Sequence, residues 1–271
     1  MNKKRPIIVL GSKGMLGQMV YSYFSKSGFS LHEVQHRFDP KEREKFIDDI
    51  LAYPDAIIIN CIGKIKQKTD DENEILMVNT LLPLALKTHL LPTQTLVHPS
   101  TDCVYNGNAI EPYSIMSVPN AIDTYGWSKR LAEEVLRGRP NTIIFRVSII
   151  GPDKNPEGKG LLAWFLNNNE GTKLRGYLNH LWNGITTLEW CKQIVHLLAS
   201  KDLNDKTIFE IGGTSEYYNK CELLQLFQRT FNTKYDILPF LTPNPVNHLM
   251  IPTLISKNFE EQLRELKNYT L

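Results

Sequence analysis

An unbroken apolar run, Pro6 to Leu10 (PIIVL), passes directly into Gly11-Ser-Lys-Gly14-Met-Leu-Gly17, three glycines at three-residue intervals that open a helix. The run reads as a strand covered on both faces, as in a parallel sheet. Behind it Leu16, Met19, Val20, Tyr23 and Phe24 recur at helical spacing, and Gly28 stands where that helix stops. The alternation then repeats. Strands are expected at Leu31 to Gln35, Ala56 to Asn60, Thr95 to Pro99 and Thr142 to Val147. Helices are expected at Lys41 to Leu51, at Glu72 to Leu90 with an interruption at Pro83, and at Tyr125 to Arg137. Strand and helix alternating in this way imply right-handed crossovers and a doubly wound parallel sheet.

After Gly151 the rhythm breaks into loops rich in Gly, Pro and Asn (GPDKNPEGKG, then NNNEGTK), with shorter elements such as Thr207 to Ile211 and Cys221 to Phe231. The expected organisation is therefore α/β: a Rossmann-type doubly wound sheet in residues 1–150 and a smaller C-terminal lobe in residues 151–271. Some elements of the lobe return to the first domain. With 42% hydrophobic and 22% charged residues, the chain has the composition of a globular protein and not of a disordered one. A net charge of +2 with scattered basic residues argues against a nucleic-acid binder. The start, Met1-Asn-Lys-Lys-Arg-Pro, precedes an apolar run too short for a secretory or anchoring segment, so no membrane partner is expected. Cys61, Cys103, Cys191 and Cys221 are widely spaced without a CxxC or a Cys/His grouping, so no metal is expected and reduced thiols in the cytoplasm are the simplest reading.

The position of the glycine string matters more than its pattern. A turn that brings backbone N–H groups and a helix N-terminus against a pyrophosphate tolerates no side chain at the contact points, and the helix dipole favours the anion. Cofactor choice is read at the end of the second strand, where an acid takes a ribose 2′-hydroxyl and an arginine a 2′-phosphate. There the chain carries His36 and Arg37, with Lys13 in the glycine loop, which favours NADP(H). Asp39 keeps NAD(H) open, should the strand run further.

Tyr125-Gly-Trp-Ser-Lys129 sets a phenol and an ammonium four residues apart on one helix face. A lysine charge nearby can bring a phenol's pKa of about 10 toward a useful range. Such a pair also arises by accident, so the order of the surrounding elements carries weight. The strand Thr95 to Pro99 ends in Ser100-Thr101-Asp102-Cys103, and active groups in doubly wound sheets sit at the carboxyl ends of strands. A hydroxyl there can bind a substrate carbonyl while the tyrosine gives its proton; the plain reading of the same turn is a cap.

In these residues the chain resembles the extended short-chain dehydrogenase/reductases, and among them the dTDP-4-dehydrorhamnose reductase family of nucleotide-sugar 4-keto reductases. GSKGMLG, IIINCIG, Val78-Asn79, HPSTDCVYNG, DTYGWSK and FRVSIIG occur in that family's order over most of the chain. The resemblance implies a catalytic triad of Thr101, Tyr125 and Lys129. It implies that Gly11, Gly14, Met15, Leu16 and Gly17 line the pyrophosphate, and that Asn60, Cys61, Ile62 and Gly63 lie beside the cofactor. The implied activity is NADPH-dependent reduction of a nucleotide-linked 4-keto-(6-deoxy) sugar in polysaccharide or deoxysugar biosynthesis, without a metal. The substrate would lie between sheet and lobe, and the family includes monomers and homodimers.

Base and sugar stay open. Where Cys103 stands, the rhamnose enzymes usually carry an aromatic residue, and the segments LLAWFL and GYLNHLWNG look like those of a relative. Cys103 and His180 resemble the epimerising acid/base pair of GDP-fucose synthase, against the plainer reading of a small buried thiol and a surface or contact histidine. Trp182, Arg146 and Lys64 are further candidate substrate contacts, each with packing or a solvated surface as its plain reading. The same holds for Lys66 and Lys68 beside Lys64. Two other functions share the fold: an epimerase or dehydratase with tightly held NAD(P), and a non-catalytic NADP(H)-binding regulator. The dehydratases' acidic pair is missing here, since Cys103 follows Asp102, and the intact Tyr125 and Lys129 speak against the regulator.

Overall fold

The computed structural model describes residues 5–155, 158–200, 203 and 206–269. The reading of the chain's start at Met1 to Lys4, and part of the Gly151 to Gly160 loop, lie outside the described residues. Seven strands form the central sheet: β1 (Ile7–Leu10), β2 (Leu31–Glu33), β3 (Ile57–Asn60), β4 (Thr95–Ser100), β5 (Thr142–Arg146), β6 (Thr207–Thr214) and β7 (Leu254–Ser256). Their order is β7-β6-β5-β4-β3-β1-β2, and every neighbouring pair is parallel. The described helices are α1 (Met15–Lys26), α2 (Glu44–Leu51), α3 (Glu72–Leu76), α4 (Leu82–His89), α5 (Thr124–Leu136), α6 (Leu161–Leu166), α7 (Thr187–Ser200), α8 (Lys220–Phe231) and α9 (Phe259–Asn268).

Alternation along each strand divides the core between two faces. Ile7, Val9, Ile57, Ile59, Val97, Ile143 and Phe145 meet the apolar sides of α1, α7, α8 and α9. Ile8, Leu10, Ile58, Leu96 and Ile144 meet Phe46, Ile47 and Ile50 of α2, Leu82, Ala85 and Leu86 of α4, and Leu136 of α5. Both faces are thus covered, which is why these strands read as continuous apolar runs rather than alternating ones.

Three expectations need correction. β2 stops at Glu33, two residues early, because it is an edge strand with β1 as its neighbour and its residues are half-exposed or exposed. Pro83 does not break the helix that follows Glu72. A π-helical segment, Met77–Leu81, precedes α4 and places Pro83 in the first turn, where a missing N–H costs nothing. Thr207 to Ile211, expected in the lobe, is part of β6, paired in parallel with β5, and is thus one of the elements that return to the sheet.

Between β5 and β6 and between β6 and β7, short strands pair among themselves. Lys173–Tyr177 runs parallel to Asp236–Phe240, and His180–Trp182 lies between Tyr218–Asn219 and Val246–Asn247. Among the described residues no helix is long and apolar enough to cross a membrane.

β1 is flanked by β2 on one side and β3 on the other, so the chain reverses its direction of travel across the sheet there. A crevice opens beyond the carboxyl ends of strands at such a point.

Candidate active site

The turn after β1 is built on close backbone approach. Gly11 has a φ of 75°, and the Gly14 N–H donates to its carbonyl at 3.1 Å. A Cβ at Gly17 would lie 2.0 Å from that same carbonyl oxygen, so the turn closes only with glycine there. α1 then begins at Met15 with no side-chain cap and no acid in its first turn, which leaves first-turn N–H groups and the positive helix end available to an anion. Gly14, Met15 and Leu16 line a cavity of about 380 Å³.

The far wall of this cavity comes from the carboxyl ends of β3, β4 and β5: Cys61 to Gly63, Pro99 to Cys103, and Val147 to Ile149. Thr101, Tyr125 and Lys129 line this cavity together. Asp123 starts α5 by accepting the Gly126 N–H at 2.8 Å, and a Cβ at Gly126 would sit 2.1 Å from the Cys103 carbonyl oxygen. The first turn of α5 therefore rests directly on the Thr101–Cys103 turn. One turn past Lys129, the buried Glu133 carboxylate receives Arg146 at two points, 3.0 and 2.6 Å, and also the Ser100 hydroxyl. This buried bidentate pair ties α5 to the ends of β4 and β5, so Arg146 holds the scaffold rather than the substrate.

Burial sets the proton states. The Tyr125 phenol is pushed above its ordinary value by desolvation, reinforced by Cys103, Asp102 and Asp123 and opposed by its hydrogen bond with Thr101. It stays protonated at neutral pH, the form that can give a proton. Lys129 is lowered to about 8 by burial, against the pull of Glu133. Its Nζ donates to the Pro99 carbonyl at 2.6 Å. The Cys103 thiol is raised by burial and by Asp102, with its sulfur 3.7 Å from that carboxylate.

The remaining candidates are placed as follows. Asn60 is fully buried and turned inward, toward His98 and the Ile62 N–H, while Cys61, Ile62 and Gly63 line the cavity. Arg37 and Asp39 line a second cavity of about 530 Å³ with Glu74, Met77 and Val78. Asp39 Oδ1 there accepts the Lys41 N–H at 2.8 Å. His36 is held by Asp49, whose Oδ2 accepts from Nδ1 at 2.8 Å and from the His36 N–H at 3.1 Å.

Three expected substrate contacts are not brought to the cavity that holds Cys103. His180 faces the Thr242 hydroxyl at 2.9 Å and packs on Tyr177, Trp182 meets Phe259 edge-on at 4.7 Å, and Lys64 pairs with Glu74 at 2.6 Å. Each is engaged by a neighbour that sequence spacing does not reveal.

Sequence reasoning gave no site role to Ser148, Asp153, Lys159 and Gly160, which stand in the cavity wall, nor to Asn79 and His98, which bond to Ser128 and Lys129 of α5. Asn79, in the π-helical segment, accepts the Lys64 N–H at 2.8 Å and donates to the Ser128 hydroxyl at 2.9 Å. For His98 a signal existed: an imidazole inside the apolar run TLVHPS. A third cavity, about 660 Å³, shares Gln67, Lys159 and Leu161 with the first and adds Arg175, Lys220, Tyr177 and Trp164.

The glycine turn, the uncapped helix and the cavity at the reversal of strand order fit a dinucleotide whose phosphates take up backbone N–H groups. Residues 4–173 match the model of the RmlD substrate binding domain. No curated protein matches the chain. A dTDP-4-dehydrorhamnose reductase of Bacillus anthracis, solved in complex with NADP, superposes with a TM-score of 0.82 at 17% identity, over 98% of this chain and 99% of that one. The ortholog from Clostridium acetobutylicum gives 0.81 at 16% identity, over 97% and 98% of the two chains. A Thermus thermophilus UDP-glucose 4-epimerase solved with NAD gives 0.74 at 16% identity, over 96% of each. At such identities the likeness is one of fold.

Proposed function

The chain belongs to the RmlD substrate binding domain family, which it matches over residues 4–173, and from that premise we propose that it is an NADPH-dependent reductase of a nucleotide-linked 4-keto-(6-deoxy) sugar. The observation that carries this reading is the convergence of the uncapped α1 N-terminus and the Thr101, Tyr125 and Lys129 side chains on one cavity. NADPH, when bound, supplies a hydride to the sugar carbonyl. Gly11, Gly14, Met15, Leu16 and Gly17 would hold its pyrophosphate, and Arg37 its 2′-phosphate by charge-assisted hydrogen bonds, with NAD(H) as the weaker partner.

Thr101 positions the carbonyl, and Tyr125, kept protonated by burial, gives its proton to the carbonyl oxygen. The low polarity that raises the phenol also strengthens every hydrogen bond made to that oxygen. Lys129 lies one helical turn along and would bind the nicotinamide ribose. The joined third cavity offers Arg175, Lys220 and Lys159 as cations beside Tyr177 and Trp164, a lining suited to a nucleoside diphosphate. His180 bonds to Thr242 and does not line the cavity that holds Cys103, which speaks for reduction without prior epimerisation. The four cysteines, widely spaced along the chain, fit a reducing cytoplasm.

A panel of nucleotide-linked 4-keto-6-deoxy sugars, scored for NADPH oxidation with the product identified by NMR, tests the proposal. One member is expected to turn over, and Tyr125→Phe to lower its kcat by about 10²–10⁴-fold with NADPH affinity retained. Turnover without NADPH consumption, or none with any member, would contradict it.

A further inference from the structure

His98, 1% exposed in β4, is buried directly behind Lys129, and its two ring nitrogens face different partners. Nδ1 lies 3.2 Å from Asn60 Nδ2, and Nε2 lies 3.4 Å from Lys129 Nζ. The Asn60 amide is oriented from its other end, since Oδ1 accepts the Ile62 N–H at 3.2 Å. Turned over, it would set an NH₂ group against that N–H. Nδ2 therefore donates to Nδ1, and a neutral ring with an acceptor at Nδ1 carries its proton on Nε2.

The ring is neutral: desolvation, then the Lys129 charge, holds it well below its ordinary value. Its Nε2–H points at a lysine nitrogen. A neutral amine has a lone pair to accept that proton and an ammonium has none, so the ring orientation discriminates between the two states of Lys129. The Pro99 carbonyl, 2.6 Å from Nζ, accepts from either state.

We propose that His98 is a positioning residue for Lys129: held in its Nε2–H tautomer by Asn60, it favours the neutral amine and links the charge of Lys129 to the Cys61–Gly63 loop through the Ile62 N–H. To face an ammonium with an acceptor, the ring must move its proton to Nδ1. The Asn60 amide must then turn its oxygen to Nδ1 and release the Ile62 N–H. Ile62 lines the cavity proposed for the cofactor, so charge on Lys129 and the seat of that loop change together.

The other groups facing Lys129 are known. From the loop after β3 comes Cys61, its thiol pushed up by burial and hence uncharged; from β4 come His98 and the Pro99 carbonyl; from α5 come Tyr125 and Glu133. Glu133 favours the ammonium but is shared with Arg146. Asp102 and Asp123 act on Tyr125. The balance leaves Lys129 titrating at about 8.

The catalytic consequence rests on the proposed reductase reading; the tautomer does not. Nitrogen-15 histidine spectra of the full chain, with the His98 signals identified by their loss in His98→Gln, read the tautomer without substrate or cofactor. Above the Lys129 titration, Nδ1 is expected to be the unprotonated nitrogen, and both His98 signals are expected to shift with a midpoint near 8 that vanishes in Lys129→Met. A proton on Nδ1 at that pH, or His98 signals that stay fixed across it, overturns the proposal. The second readout is the pH profile of kcat/KM. His98→Gln can turn an amide oxygen toward Nζ, and the alkaline limb is expected to move up by about one pH unit, a tenfold change in proton concentration. A uniform loss of activity with an unmoved limb would reduce His98 to a packing residue. Failure of the reductase reading looks different: the tautomer and its titration persist in a protein that reduces no keto-sugar.

Discussion

At the scale of the residue, the site is organised by desolvation. Lys129 is 7% exposed, and burial has brought it to about 8 from the ordinary 10.5. The sign follows from linkage. Between these two values the unfolded chain binds the proton that the folded chain has lost, so stability rises with pH across that window and is lowest below it. Lys129→Met is therefore expected to stabilise the fold at neutral pH by about 1–3 kcal/mol, allowing for the lost bond to Pro99, while ending turnover. Urea denaturation checks this, and an unchanged or lower midpoint would be the contrary result. The pair Tyr125 and Lys129 was legible in the sequence because four residues along a helix fix a shared face. His98 and Asn60 were not legible as its support, since 31 and 38 residues separate the partners along the chain. The misplaced contacts fail for the same reason: Thr242, Phe259 and Glu74, which engage His180, Trp182 and Lys64, lie 62, 77 and 10 residues away.

At the scale of the element, the junction of β1 and α1 is the most sequence-determined part of the molecule. Its apolar strand, glycine turn and amphipathic helix each state their conformation locally, and all three formed where expected. Gly17→Ala would drive a Cβ to 2.0 Å from the Gly11 carbonyl oxygen, and the turn must open to relieve it. NADPH affinity, measured by fluorescence titration, is expected to fall by at least about tenfold, because the N–H groups at the helix start no longer converge. Unaltered affinity would place the phosphates elsewhere. Arg37 belongs to the same scale, because where β2 ends decides which side chain reaches the 2′-position. The strand ends at Glu33, and Asp39 spends one carboxylate oxygen on the Lys41 N–H. Arg37→Ser is expected to weaken NADPH by about tenfold while leaving NADH nearly unchanged, as charge-assisted bonds to a phosphate require. Equal losses would remove Arg37 from cofactor choice. Pro83 shows the limit of local rules: it reads as a break, yet a wide π-helical turn admits it and carries Asn79 to the loop at Lys64.

At the scale of the whole molecule, the first five strands were readable in the sequence, and so was a return of later elements to the first domain, but not where β6 and β7 pair. Both lie after a loop-rich excursion, and their pairing with β5 and with each other is a long-range choice that no local pattern announces. The segments between β5 and β6 and between β6 and β7 supply Lys159, Gly160 and Leu161 to the first cavity and Arg175, Tyr177 and Lys220 to the third. On the proposed reading, the sheet brings a cofactor surface, and the segments after β5 a substrate surface, to one crevice. Hydride transfer across that crevice can be followed atom by atom. With NADPH deuterated at the transferring position of its nicotinamide and a keto-sugar substrate from the panel, mass and NMR analysis of the product should find one deuterium on sugar C4 per NADPH consumed, with the signal lost in Tyr125→Phe. A product formed without deuterium on C4, or formed while NADPH remains unconsumed, would contradict a reductase built on this cavity.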